Sequence, residues 1–142
     1  MLRNTYSEKE SIMAEYNVIT PYNIKPQPRP SEQKVARIVA YYFQSDIQFV
    51  PTSSVSRTPD LFVVRLHQLW EIKNIRGNGK RTMANNLRTA QHQSENVIIS
   101  LFETKMTGDQ AVARARDYLK SGSVKIKRLI IITKSERVIE MI

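Results

Sequence analysis

Thr58-Pro59-Asp60-Leu61-Phe62-Val63-Val64-Arg65-Leu66-His67-Gln68-Leu69-Trp70-Glu71-Ile72-Lys73 is the stretch on which the fold turns. The apolar and β-branched run after Pro59 predicts a strand over 60–66, with His67 and Gln68 as a tight turn and 69–75 as the returning strand. Side chains alternate along a strand, so Glu71 and Lys73 project from one face while Trp70 and Ile72 project from the other. A hairpin of this length brings Asp60 beside Glu71 at one end of a sheet. Two carboxylates there form a hard-oxygen site suited to Mg²⁺, with Mn²⁺ or Zn²⁺ as alternatives. A metal ion held by such a pair lowers the pKa of a bound water and stabilises charge on phosphoryl oxygens. The Lys73 ammonium, two residues on, is spaced to orient or deprotonate that water, or to stabilise the transition state. Glu-x-Lys spacing alone is common on the solvent face of strands; here it lies among apolar neighbours, beside the chain's single Trp, and follows a Pro-Asp strand start.

Upstream of this hairpin, Pro21, Pro26, Pro28 and Pro30 predict an extended arm or linker over 17–30, preceded by a polar segment with a short helix near 8–16. Residues 1–30 therefore read as an N-terminal arm and 31–142 as the compact domain. Ser31 is the expected N-cap of a helix reaching residue 44, with Val35, Ile38, Val39 and Tyr42 as its apolar stripe and Glu32 on its first turn. Tyr41, Tyr42 and Phe43 have the chemistry to stack on bases, but on a helix they are expected to pack into the core. A short strand over 47–50 leads into a Ser/Thr/Pro loop.

Downstream, Arg76-Gly77-Asn78-Gly79-Lys80-Arg81 reads as a loop whose glycines admit a ligand and whose cations, Arg76, Lys80 and Arg81, grip phosphates. Thr82 is expected to cap a helix running to about residue 93, with Met83, Leu87 and Ala90 facing inward. Residues 97–102 form an apolar strand buried on both faces. Thr107 caps a further helix with Val112, Ala115 and Leu119 inward and Gly122 past its end. Strands over 129–133 and 138–142 follow. The order α-β-β-β-α-β-α-β, with a final strand, implies a mixed β-sheet flanked by helices. Lys125, Lys127 and Arg128 form another basic cluster, fit equally to grip phosphates or to serve as edge-strand charge. His67 and His92 sit apart on separate elements, which disfavours a histidine-based zinc site.

Composition narrows the function classes. The chain has 142 residues, 41% of them hydrophobic, enough for one packed domain. It has no cysteine, which excludes disulfide frameworks, zinc ribbons and thiol nucleophiles. No apolar run approaches the ~20 residues of a membrane-crossing helix. Net charge is +9, of which +7 falls in residues 71–142. A basic surface of this kind attracts phosphate backbones by counterion release, and equally attracts anionic membranes or acidic proteins.

Asp60 followed by Glu71-x-Lys73 resembles the PD-(D/E)xK nuclease signature, and the element order is similar to that superfamily's restriction-endonuclease-like core. The longer string is more specific: Thr58-Pro59-Asp60, Trp70-Glu71-Ile72-Lys73, Asn85-Asn86-Leu87-Arg88, Ala90-Gln91-His92-Gln93-Ser94 and Asn96-Val97-Ile98-Ile99. Over about residues 31–133 the chain resembles the C-terminal tRNase toxin domains of CdiA-type contact-dependent growth-inhibition proteins. The resemblance implies that Glu32 joins Asp60 and Glu71 at the metal, and that Gln93 positions water or substrate with Thr82 and Arg88 nearby. Sister domains of that family differ in cutting RNA or DNA, and tRNA is the favoured substrate here; the resemblance also implies a cognate immunity protein, which the +9 charge predicts to be acidic. Delivery as the C-terminal part of a larger secreted or surface protein, with action in the target-cell cytoplasm, is implied too. A DNase of the same fold and a non-catalytic basic nucleic-acid-binding module are the alternatives.

Overall fold

A seven-stranded sheet forms the body of the protein, with strands in sequence order across it. The computed structural model describes residues 15–51, 59–122 and 124–142. Elements run β1 (Val18–Ile19), α1 (Pro30–Phe43), β2 (Ile47–Phe49), β3 (Leu61–Val63), β4 (Gln68–Asn74), α2 (Thr82–Ala90), β5 (Asn96–Ser100), α3 (Gly108–Leu119), β6 (Arg128–Ile132) and β7 (Val138–Glu140). The mixed sheet flanked by helices is the expected architecture. β2, β3 and β4 form an antiparallel meander, β4, β5 and β6 run parallel, and β7 returns antiparallel on β6.

The two faces of the sheet bury separate cores. Val35, Ala36, Val39, Ala40 and Phe43 of α1 pack on Ile47, Leu61, Trp70, Ile72, Ile98 and Ile130. On the opposite face Met83 and Leu87 of α2 and Ala111 and Ala115 of α3 cover Val97, Ile99, Leu129 and Ile131. Strand alternation divides the neighbouring isoleucines of β5 and β6 between the two cores, so both strands are apolar throughout. Helices α2 and α3 share a face because both crossovers step in the same direction across parallel strands.

Several local expectations are corrected. The proline-rich arm is not a free linker over its length: Val18 and Ile19 pair in parallel with Ile47 and Gln48, and Ile24 is buried in the α1 core. The Asn17 N–H also donates to Asp46 Oδ1 at 2.9 Å. The helix expected at 8–16 falls outside the described residues except for its last two, as do Thr58 and most of the Ser/Thr/Pro loop. Helix α1 begins at Pro30 with Arg29, not Ser31, as its N-cap, because Pro at the first helical position gives up no intrahelical bond. Its buried stripe is rotated one residue from the expected one, since Ala36 and Ala40 let the helix lie close to the sheet. Phe43 is thereby buried, while Tyr41 and Tyr42 are left 49% and 39% exposed.

Thr82 is the first residue of α2 rather than its cap, and that helix ends at Ala90. Residues 91–93 then turn so that Ser94 Oγ and Asn96 Nδ2 each donate to Leu69 O at 3.0 Å, fixing where β5 begins. Thr107 caps α3 as expected, in a reciprocal box with Gln110 at 3.1 Å each way. The basic cluster at 125–128 does not lie on an edge. β7 covers β6, and Arg128 forms an ion pair with Glu140 at 2.7 Å while its guanidinium lies over Phe43 and Trp70.

Candidate active site

The site forms where β3 begins and parts from β4. The Asp60 N–H donates to Trp70 O at 3.0 Å, placing Asp60 directly before the paired part of the hairpin. Beyond that point β4 continues without β3, and Asp60 Oδ2 accepts the Ile72 N–H at 2.8 Å. This side-chain bond replaces the next rung of the ladder and holds the Asp60 carboxyl on the open edge of β4. Glu71 lies opposite, close enough for each carboxyl to shift the pKa of the other. Lys73 Nζ stands 3.3 Å from Glu71 Oε2. The three residues expected to form the centre are thus brought together.

Burial sets the electrostatics of this centre. Glu71 is 3% exposed, and its Oε1 is buried without a hydrogen-bond partner. Desolvation, and then the neighbouring Asp60 charge, push its carboxyl up to about 8 against the opposing pull of Lys73. Asp60 is raised as well, first by desolvation, although the Ile72 N–H and Glu71 favour its ionised form. Glu71 therefore keeps its proton at neutral pH beside Asp60. A buried, orphaned carboxylate oxygen beside a second carboxylate is a donor set that fits a hard divalent cation, whose charge would take the place of that proton.

Glu32 is near but does not complete a three-carboxylate cage. It lines a cleft of about 240 Å³ with Asp60, Phe49 and Arg29, and its charge helps raise the Asp60 pKa. Its Oε1, however, accepts the Arg29 N–H at 2.8 Å and so caps α1. Among the described residues no three Asp, Glu or His side chains converge in metal-ligating geometry. Asp60 and Glu71 thus stand together, and Glu32 lines the same cleft across from Asp60. Gln93 lies past the end of α2, its N–H bonded to Ala90 O at 2.8 Å, and no hydrogen bond ties its side chain to the carboxyls.

The expected phosphate-gripping residues separate into two groups. Arg76 Nε pairs with Glu103 at 3.1 Å, and Glu103 also holds Arg29 at 3.6 Å. The neighbouring Ser31 hydroxyl foremost, and the Arg29 and Arg76 charges with it, keep the Glu103 carboxyl below its usual range. The result is a polar bridge joining the start of α1, the loop after β4 and the loop after β5 beside the cleft. Glu103 and Arg29 were not singled out from sequence; Glu103 lies 30 residues beyond Lys73 and only the β4–β5 pairing returns it to this end. Lys80 and Arg88 instead line a second cavity of about 310 Å³ with Arg114 and Tyr118, between α2 and α3. Arg81 is exposed. Thr82 is half-buried and turned to the loop: a Cβ on Gly77 would come within 3.2 Å of its Oγ1, so glycine there permits the close approach. Thr104 Oγ1 donates to Gly77 O at 2.7 Å, and Arg114 Nη1 to Asn78 O at 2.9 Å, fastening the same loop.

Fold and site together define a basic α/β domain with a buried carboxyl pair and a lysine at the open edge of its central sheet. The chain belongs to the contact-dependent growth inhibition CdiA C-terminal domain family, whose sequence profile matches residues 57–138. Among solved structures, it is similar to a chain of the CdiA-CT/CdiI toxin and immunity complex from Burkholderia pseudomallei. The two are 15% identical with a TM-score of 0.60, over 88% of this chain and 98% of that one, a likeness of fold. No curated protein sequence matches the chain. No helix among the described residues is long and apolar enough to cross a membrane.

Proposed function

We propose that this domain is a PD-(D/E)xK-type, metal-dependent endonuclease toxin that cleaves tRNA in target bacteria. The observation that carries the reading is the buried Asp60–Glu71 carboxyl pair with Lys73 Nζ 3.3 Å from Glu71. Asp60 and Glu71 would hold a divalent cation, Mg²⁺ before Mn²⁺ or Zn²⁺. When bound, that cation supplies a more acidic water and a counter-charge for the phosphoryl oxygens. Lys73, on the same face of β4 as Glu71, orients the attacking water or takes its proton. Arg76 and Arg29, steadied by Glu103, put positive charge beside the cleft for the scissile phosphate. Lys80, Arg81 and Arg88 contribute a further basic surface for the backbone. Glu32 adds negative charge opposite Asp60, and Gln93 would have to reach the site on substrate binding.

The tRNA preference rests on the resemblance to CdiA-type tRNase domains, while the +9 charge supports a nucleic acid of either kind. Family membership supports delivery from a producing cell's surface into a neighbour. The similar Burkholderia domain is seen in complex with an immunity protein. By analogy, an acidic immunity protein that covers the cleft would protect the producer.

The test incubates the purified chain with total tRNA and, separately, with plasmid DNA, in Mg²⁺, Mn²⁺ or Zn²⁺ and in EDTA. Discrete metal-dependent tRNA fragments, absent with Glu71→Ala and Lys73→Ala variants that remain folded, are the expected result. Cleaved plasmid with intact tRNA would replace the tRNase by a DNase. Binding of nucleic acid without cleavage of either would leave a non-catalytic module, and full activity in either variant would overturn the site.

A further inference from the structure

A groove of about 850 Å³ lies along the outer face of α1, away from the carboxyl pair. Lys34, Arg37, Tyr41 and Tyr42 of the helix form one wall, and Glu136, Arg137 and Val138 at the start of β7 form the other. Positions 34, 37 and 41 fall on one stripe of a helix, so two cations lead to an aromatic ring along the groove by sequence spacing alone. Tyr41 and Tyr42 are 49% and 39% exposed, unusual for two adjacent large rings in a chain with a well-filled core. Tyr41 is held edge-on against Tyr16 at 5.7 Å, and Tyr42 edge-on against Phe43 at 5.0 Å. Both rings are therefore braced rather than free to turn.

The charges of the groove are unequal. Lys34 is ion-paired with Glu136 at 3.2 Å and lies over the Phe102 ring at 4.6 Å. Arg37 and Arg137 are exposed and have no ion-pair partner among the described residues. That leaves two guanidinium groups beside two braced tyrosines, a combination that binds unpaired bases and the phosphates between them. A duplex keeps its base faces stacked on one another and offers the rings nothing to stack on. An acidic protein surface is the competing occupant, because Tyr and Arg also anchor protein interfaces.

We infer that this groove is a second nucleic-acid site, in which Tyr41 and Tyr42 stack on unpaired bases of a single-stranded segment while Arg37 and Arg137 hold its phosphates. As part of a substrate path the site rests on the nuclease reading, but its binding chemistry does not require cleavage.

The experiment measures fluorescence anisotropy of labelled eight-nucleotide oligouridine, oligo-dT and a duplex of the same length. The full chain is used in EDTA, so that no cleavage intervenes. Tyr41→Ala is expected to weaken binding of the single strands about five-fold or more, as loss of one stacked base does. Tyr41→Phe should restore it, because the ring and not the hydroxyl does the stacking. Arg37→Gln should lower the salt dependence of single-strand binding by about 0.7 in log–log slope, one phosphate contact. Melting temperatures within a few degrees of the parent are expected for all three, since these side chains are exposed. The inference is overturned if Tyr41→Ala binds single strands as the parent does, or if duplex is preferred and indifferent to both variants. It is equally overturned if Tyr41→Ala keeps oligonucleotide binding but loses a co-expressed acidic partner, which would make the groove a protein interface. A chain that binds through the groove yet cuts no substrate would refute the nuclease reading and leave this inference standing.

Discussion

Replacing Glu71 by Gln should make the protein more stable, and increasingly so as pH rises. The Glu71 carboxyl ionises near 4.5 in an unfolded chain but is pushed up to about 8 in the folded one. Between those values the folded state holds a proton that the unfolded state has released, so stability falls as pH rises through that window. The loss is absent below about pH 4 and complete once pH passes the folded value. At 1.36 kcal/mol per pKa unit it amounts to roughly 3 kcal/mol at pH 7. Asp60, also raised, acts with the same sign. Gln is nearly isosteric, is neutral as the protonated acid is, and carries no proton to lose. For a chain of this size 1 kcal/mol shifts Tm by about 3–4 °C, so Glu71→Gln should melt about 10 °C higher at pH 7 in EDTA. The two proteins should melt together near pH 4. Differential scanning calorimetry from pH 4 to 9 is the assay. An equal or lower Tm for the variant at pH 8, or a difference independent of pH, would refute the reasoning and make the 3.3 Å Lys73 pair, rather than desolvation, the dominant effect.

Three further outcomes follow from the same geometry. Mg²⁺ should raise the Tm of the parent more at pH 8 than at pH 6 and release protons in weakly buffered solution, while Glu71→Gln shows neither effect; calorimetric titration in two buffers reads both. Glu103→Gln should lower tRNA cleavage several-fold through misplaced Arg29 and Arg76, with little change in Tm because these ion pairs lie near the surface. Kinetic assay beside a melting curve separates the two effects. Trp70→Ala should cost about 3–5 kcal/mol in urea unfolding, since it leaves a void beneath Phe43 and removes a ring under Arg128.

The strands were legible because burial on one or both faces writes itself into composition: 97–102 and 129–133 are short apolar runs bounded by charged residues. The Asp60–Glu71–Lys73 centre was legible because all three lie within one hairpin, where spacing alone fixes proximity. What escaped depends on distant chain. Val18–Ile19 has no strand signal among its prolines and exists through pairing with β2. Glu103 looks like any loop acid until β5 is laid beside β4. The phase of α1 was misjudged by one position because the stripe 35, 38, 39, 42 and the stripe 35, 36, 39, 40, 43 are both helical. Only contact with the sheet chooses the one whose alanines permit close approach.

That choice of phase has consequences at both ends of the helix. With Phe43 inward against Trp70 at 5.1 Å, Tyr41 and Tyr42 turn outward, and Arg37 stands one turn before them. The same rotation sets Glu32 toward the cleft, where one carboxylate caps the helix and repels Asp60 at once. Residues 32 and 41 are separated by ~14 Å along the helix axis at 1.5 Å per residue. A single rigid element thus carries one side of the cleft and one wall of the groove, and neither can shift without the other. A strand seated on the tyrosines would be presented to the carboxyl pair at a fixed offset, so selectivity for an unpaired segment near the cut would follow from how α1 packs rather than from contacts at the scissile phosphate.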